Sequence, residues 1–113
     1  MKIIEERISI LELKKMAREM FGDMVKAVVD VEKNVMALGG ELHSDEESLL
    51  IGRGSKQQDL WGINIYPEVK GDGWVEFDSL INLRPAQGNR TRGVGDPKVR
   101  KKINEIINDL VER

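Results

Sequence analysis

A chain of 113 residues, 40% hydrophobic and 34% charged, is long enough to bury one core without staples. With no cysteine it can form no disulfide, thiolate metal site or cysteine nucleophile. A net charge of −2 gives no overall pull toward nucleic acid. No apolar run reaches the length of a membrane span and MKIIEERIS lacks a signal-peptide centre, so one cytoplasmic domain over residues 1–113 is expected.

The charge is unevenly placed. Residues 84–113 hold eight Lys/Arg against four Asp/Glu, while residues 1–83 hold ten against sixteen, so the C-terminal part is basic.

In chain order, Lys2 to Ile8 reads as a short entering edge strand. Ser9 and Glu12 make a capping box, with Ile8 and Leu13 placed as a hydrophobic staple. Ile10, Leu13, Met16, Ala17, Met20 and Phe21 then recur at helical spacing until Gly22 ends the helix. From Met24 the period becomes two, with Val25, Ala27, Val29 and Val31 on one side and Lys26, Asp30 and Glu32 on the other. A Lys33-Asn34 turn pairs Glu32 with Val35 and Lys26 with Glu41, and puts Met36, Leu38 and Leu42 on the valine face. Gly39-Gly40 marks a bulge or close approach. Ser44 and Glu47 form a second capping box, starting a short helix that runs to about Gly52.

GRGSK at 52–56 lacks the spacer and the hydroxyl residue of a phosphate loop, and reads as a turn. Leu60–Tyr66 and Trp74–Leu83 predict a second hairpin across Gly71-Asp72-Gly73. It pairs Ile65 with Val75, Ile63 with Phe77, Trp61 with Ser79 and Leu60 with Leu80. Val75, Phe77, Ile81 and Leu83 would face inward, and Asn64, Glu76, Asp78 and Asn82 outward. Asp96 as N-cap and Pro97 at the first helical position open a last helix with Val99, Ile103, Ile106, Ile107 and Leu110 on one stripe. The order is helix, hairpin, short helix, hairpin, helix. That order predicts an α+β fold of two layers, a mainly antiparallel sheet of two hairpins packed against the N- and C-terminal helices, with a short middle helix.

The stretch FDSLINLRPAQGNRTRGVGD, residues 77–96, is hardest to explain by packing alone. It carries Arg84, Arg90 and Arg92 among Gly88, Gly93 and Gly95, and runs into a helix start. Guanidinium forks suit carboxylate or phosphate, glycines admit close backbone approach, and amides at a helix start favour anions. Early cations Lys98, Arg100, Lys101 and Lys102 oppose the helix dipole, a conflict that an anion would relieve. The candidate ligand-binding set is therefore Arg84, Gln87, Asn89, Arg90, Arg92, Gly93 and Lys98. Against it stands solvation, or pairing with Asp78 and Asp96.

The acidic run around the single histidine offers Glu41, His43 and Asp45 as weak metal ligands, though no complete ligand spacing is present. Asp30, Glu32, Glu76 and Asp78 read as a solvated sheet face. No serine-hydrolase, zinc-protease or dinucleotide motif occurs, and no cofactor is implied. Trp61, Tyr66 and Trp74 could stack bases, but aromatic content is 4%.

The segments GGELHSDEE, GSKQQDLWGINIYP and FDSLINLRPAQGNRTRGV resemble those of a family of small uncharacterised prokaryotic proteins catalogued as a domain of unknown function. The resemblance covers nearly the whole chain and implies a stand-alone domain with no assigned activity. The residues therefore favour a binding module for a phosphate- or carboxylate-bearing ligand or partner. Alternatives are a homodimeric interaction module, using a sheet face or open strand edge, and a metal-assisted hydrolase around His43. Nucleic acid and membrane are not expected partners.

Overall fold

The computed structural model describes residues 1–113. Seven strands and three α-helices follow the order β1 (Lys2–Ile4), β2 (Ile8–Ser9), α1 (Ile10–Glu19), β3 (Val25–Asp30), β4 (Val35–Leu38), α2 (His43–Gly52), β5 (Leu60–Ile65), β6 (Val75–Glu76), α3 (Pro97–Leu110) and β7 (Val111–Glu112). The main sheet is antiparallel in the order β1, β4, β3, β5, β6, and β2 pairs in parallel with β7. This is the expected α+β class, with terminal helices α1 and α3 and a short middle helix α2 of 10 residues.

Both terminal helices start where local chemistry directs. Ser9 Oγ accepts Glu12 N–H at 3.1 Å, and Gly22, at φ +95°, donates to Ala17 O to close α1. Asp96 Oδ1 accepts Lys98 N–H at 2.9 Å, with Pro97 at the first helical position of α3. Leu13 and Ala17 of α1 and Ile103, Ile106, Ile107 and Leu110 of α3 cover one sheet face. They meet Val25, Ala27, Val29, Met36, Leu38, Trp61, Ile63 and Ile65 there.

The first hairpin closes two residues earlier than the sequence reading, with Asp30 opposite Val35 and Ala27 opposite Leu38. Asp30 explains the shift. Its buried carboxylate accepts the Glu32 and Lys33 amides at 2.9 Å each and Ser55 Oγ at 2.6 Å, stabilising a longer loop, and Asn34 takes φ 58°. An even shift keeps every side chain on its face, so the apolar alignment survives. The β3–β4 ladder stops at Ala27 and Leu38, so the expected Lys26–Glu41 pair does not form, and on its other side Lys26 lies opposite Asn64.

The second hairpin departs further. Ile65 pairs with Val75 as expected, but β6 ends at Glu76 and Leu80–Asn82 form a 3-10 turn. Phe77 packs against the first core, whereas Ile81 packs against a second one of Val28, Ala37, Leu50 and Leu60. The chain thus crosses the sheet edge onto the second face between those two residues. Gly62 admits the crossing. A Cβ there would stand 2.5 Å from both Cβ and Oγ of Ser79. We expect Gly62→Ala to cost about 1–3 kcal/mol of stability by overpacking, read from urea midpoints.

The second face is therefore covered, by α2 and the crossing segment, where the sequence suggested an open surface. Asn64 and Asn82, expected outward on that face, are buried at 6% and 0% exposure. Asn82 replaces the missing strand: Gly62 N–H donates to its Oδ1 at 2.8 Å, and its Nδ2 donates to Gly62 O at 2.9 Å. One carboxamide supplies both partners that a neighbouring backbone would give.

Candidate functional site

Along β3 and β5 the second face changes character. Val28 and Leu60 are apolar, Gly62 has no side chain, and Lys26 and Asn64 are polar. The N-terminal end of α2 lies over the polar end. Its inward stripe is His43, Glu46 and Leu50, at i, i+3 and i+7, so two of its three buried residues are ionisable. Between this helix start and the crossing segment opens a cleft of about 220 Å³, lined in part by Lys26, His43, Ser44, Ser79 and Arg92.

The helix start itself is bare. Leu42, rather than Ser44, occupies the N-cap, and no side chain caps the first turn. Leu42 O takes Asp45 N–H and Glu46 N–H, so the His43 and Ser44 amides precede the helical bonding. Leucine is among the poorest residues at this position because it offers no acceptor.

His43 is 8% exposed and its Nε2 donates to Ile63 O at 2.7 Å. Burial lowers its pKa, the Ile63 carbonyl opposes that, Lys26 lowers it further, and Asp78 and the Asn64 side chain raise it. The imidazole is therefore neutral at pH 7, with its Nε2 proton engaged. Asn64 Oδ1 is buried without a hydrogen-bond partner, because its Nδ2 turns toward Glu76 Oε1 at 2.8 Å. Lys26 is half-buried, with its ammonium 5.4 Å from the Phe21 ring centre. Arg92 Nε meets Asp78 Oδ1 at 2.8 Å, with both side chains substantially solvated.

Glu46 is fully buried. Its Oε2 accepts Gly40 N–H at 2.9 Å and its Oε1 has no partner. Burial pushes its pKa to about 9, against the opposing effects of the Gly40 amide, Lys26 and the chain N-terminus. The carboxyl is thus uncharged at neutral pH, and it does not cancel the positive field at the start of α2.

The arginines of residues 84–92 do not converge. Arg84 donates from Nη1 to Gln57 O and from Nη2 to Leu60 O, both at 2.6 Å, and stacks 4.0 Å from the Trp61 ring centre. Burial lowers its pKa, with Glu47 opposing. Gln87 Nε2 donates to Gln58 O at 2.9 Å. Arg84 and Gln87 thus tie two loops together along a separate open groove of about 620 Å³. Asn89 organises the loop: its Nδ2 faces the carbonyls of Asn82, Thr91 and Gly93, and its Oδ1 accepts Gly95 N–H at 2.9 Å. The Gly93 and Lys98 amides are taken by Thr91 Oγ1 and Asp96 Oδ1. Arg90 is exposed, and only Arg92 of the seven candidates lines the cleft.

Glu41, His43 and Asp45 do not gather as ligands: no three His, Asp or Glu side chains stand close enough to share a metal ion. Trp74 lies beneath the Arg113 guanidinium, 4.1 Å from its ring centre, as Trp61 lies beneath Arg84. No helix is long and apolar enough to cross a membrane.

Sequence reasoning missed Lys26, Ser79 and the orientation of His43. The i, i+3, i+7 spacing of His43, Glu46 and Leu50 was the available signal for the last.

The fold and cleft define a small α+β protein that sets Lys26, His43, Glu46 and Arg92 around the start of its middle helix. The chain belongs to the family described as Protein of unknown function (DUF5674), whose model matches residues 2–110. No curated protein and no solved structure matches it.

Proposed function

We propose that this protein binds a small anionic ligand, carrying phosphate or carboxylate, in the cleft under the N-terminus of α2. The observation that carries the reading is the uncapped first turn of α2, which opens beside Lys26 and Arg92. Free amides and the positive end of the helix dipole favour an anion, and the two cations favour it further. Ser44 and Ser79 add hydroxyls at the same cleft. Neutral Glu46 spares the site one negative charge, and the Asp78–Arg92 pair is solvated enough to rearrange around a ligand. The reading keeps the class of ligand inferred from residues 77–96 and moves the site to a neighbouring surface that shares Arg92.

Thermal unfolding in phosphate tests it. If inorganic phosphate binds with a Kd of about 1 mM, then about 20 mM stabilises the fold by about 1.8 kcal/mol relative to chloride of matched ionic strength. Lys26→Gln and Arg92→Gln should each remove most of that gain, and Arg90→Ala should leave it intact. A wild-type gain no larger than chloride gives, or one abolished by Arg90→Ala, contradicts the site.

A further inference from the structure

The same cleft carries a second chemical feature, at its rim. Leu42 and Leu80 are 55% and 69% exposed, and both line the cleft alongside Ile81. No other exposed large hydrophobic residue lines a cavity in this protein.

Neither leucine is there by looseness. Leu80 sits on the 3-10 turn fixed by Asn82 N–H to Ser79 O at 3.1 Å, Leu83 N–H to Leu80 O at 3.1 Å and Ser79 N–H to Arg92 O at 2.9 Å. Asn82 then anchors the turn to β5 through Gly62. Leu42 holds the N-cap, where Ser, Thr, Asp or Asn would stabilise the helix by about 1 kcal/mol more. A polar cap would fill the anion position with the protein's own oxygen and remove an apolar wall. One residue thus leaves the amides open and supplies half the rim.

We infer that the ligand is an amphiphilic anion: a phosphate or carboxylate head seated at the α2 start, with a short apolar group lying between Leu42 and Leu80. This rests on the anion reading above and narrows it. Size agrees, since 220 Å³ corresponds to about seven waters at ~30 Å³ each, and inorganic phosphate alone fills only part of it. Charge agrees too: Lys26 and Arg92 line the same cleft as the exposed Leu42 and Leu80, so one site offers partners to both ends of such a ligand.

The test is calorimetric titration of the intact chain with inorganic phosphate, n-butyl phosphate and hexanoate. Butyl phosphate should bind at least about tenfold more tightly than inorganic phosphate, given the free energy of removing a few methylenes from water. Leu80→Ser and Leu42→Ala should erase that preference and leave inorganic phosphate binding unchanged, because neither touches the cations or adds an acceptor at the α2 start. Hexanoate binding as tightly as butyl phosphate would identify the head as carboxylate-tolerant; weaker binding would identify it as phosphate. Equal binding of butyl and inorganic phosphate by the wild type overturns the apolar rim and leaves the anion site standing. Absence of binding by all three overturns both. A dimer in sedimentation that Leu80→Ser dissociates, with phosphate-ester affinities unmoved, assigns the rim to a second copy and also overturns the inference.

Discussion

Asn82→Ala should destabilise the fold by about 2–5 kcal/mol, because it strands the Gly62 N–H and C=O in a buried site at about 1–3 kcal/mol each. The loss is a large part of the roughly 5–15 kcal/mol that holds a typical protein folded. It also releases the anchor of the Ser79–Arg92 segment, since Asn82 Nδ2 donates to Arg92 O at 3.0 Å as well. Phosphate-dependent stabilisation should therefore weaken in parallel, although Asn82 is not among the residues lining the cleft. Asn82→Asp keeps an acceptor for Gly62 N–H, but it loses the donor and buries a charge opposite Gly62 O, so it should fare no better. Urea unfolding followed by circular dichroism measures both. A loss below about 1 kcal/mol for Asn82→Ala would show that the carboxamide does not stand in for a strand.

Glu46→Gln should act in the opposite direction and should change the pH dependence. The folded state holds the Glu46 proton up to about pH 9, whereas the unfolded chain releases it near the ordinary value of 4.5. Between those limits the folded state binds more protons than the unfolded one, so stability falls as pH rises. The slope is about 1.4 kcal/mol per pH unit from this group alone. Gln keeps a neutral side chain and an acceptor for Gly40 N–H but carries no titration. The variant should therefore match wild type near pH 5 and exceed it by about 2 kcal/mol or more at pH 8, after allowance for an unpaired amide where Oε1 has no partner. His43 works with the opposite sign. Its lowered pKa makes the folded state bind fewer protons, so stability falls as pH drops through the ordinary histidine range. That contribution is common to both proteins, and the difference between their urea profiles isolates Glu46. Parallel profiles from pH 5 to 8 would contradict a buried neutral carboxyl.

What was legible in the sequence was what local chemistry determines. Ser9 and Asp96 cap their helices through bonds two or three residues away, and the stripes of α1 and α3 follow from periodicity. The sidedness of the first hairpin survived an error of two residues because strand period is two. Long-range substitutions for backbone were not legible. Nothing near Asn82 announces that its side chain pairs with Gly62, twenty residues earlier, or that β6 stops after Glu76. Alternation over Val75, Phe77, Ile81 and Leu83 therefore read as one strand, whereas Phe77 and Ile81 serve opposite faces.

Where the arginines go was not legible for a related reason. Arg84 and Arg92 are eight residues apart in sequence, yet backbone carbonyls from Gln57 to Leu60 hold one and Asp78 holds the other. The acidic run at α2 hid its two buried members, because His43 and Glu46 look like a solvated helix start until the helix phase is fixed by Leu50.

The most direct test is backbone amide NMR of the intact protein titrated with inorganic phosphate. Saturable shifts are expected, greatest at the His43 and Ser44 amides, extending to Ser79 and Arg92, with little change from Arg84 to Arg90. Shifts greatest in the Arg84–Arg90 loop, or none that saturate, would contradict an anion site at the start of α2.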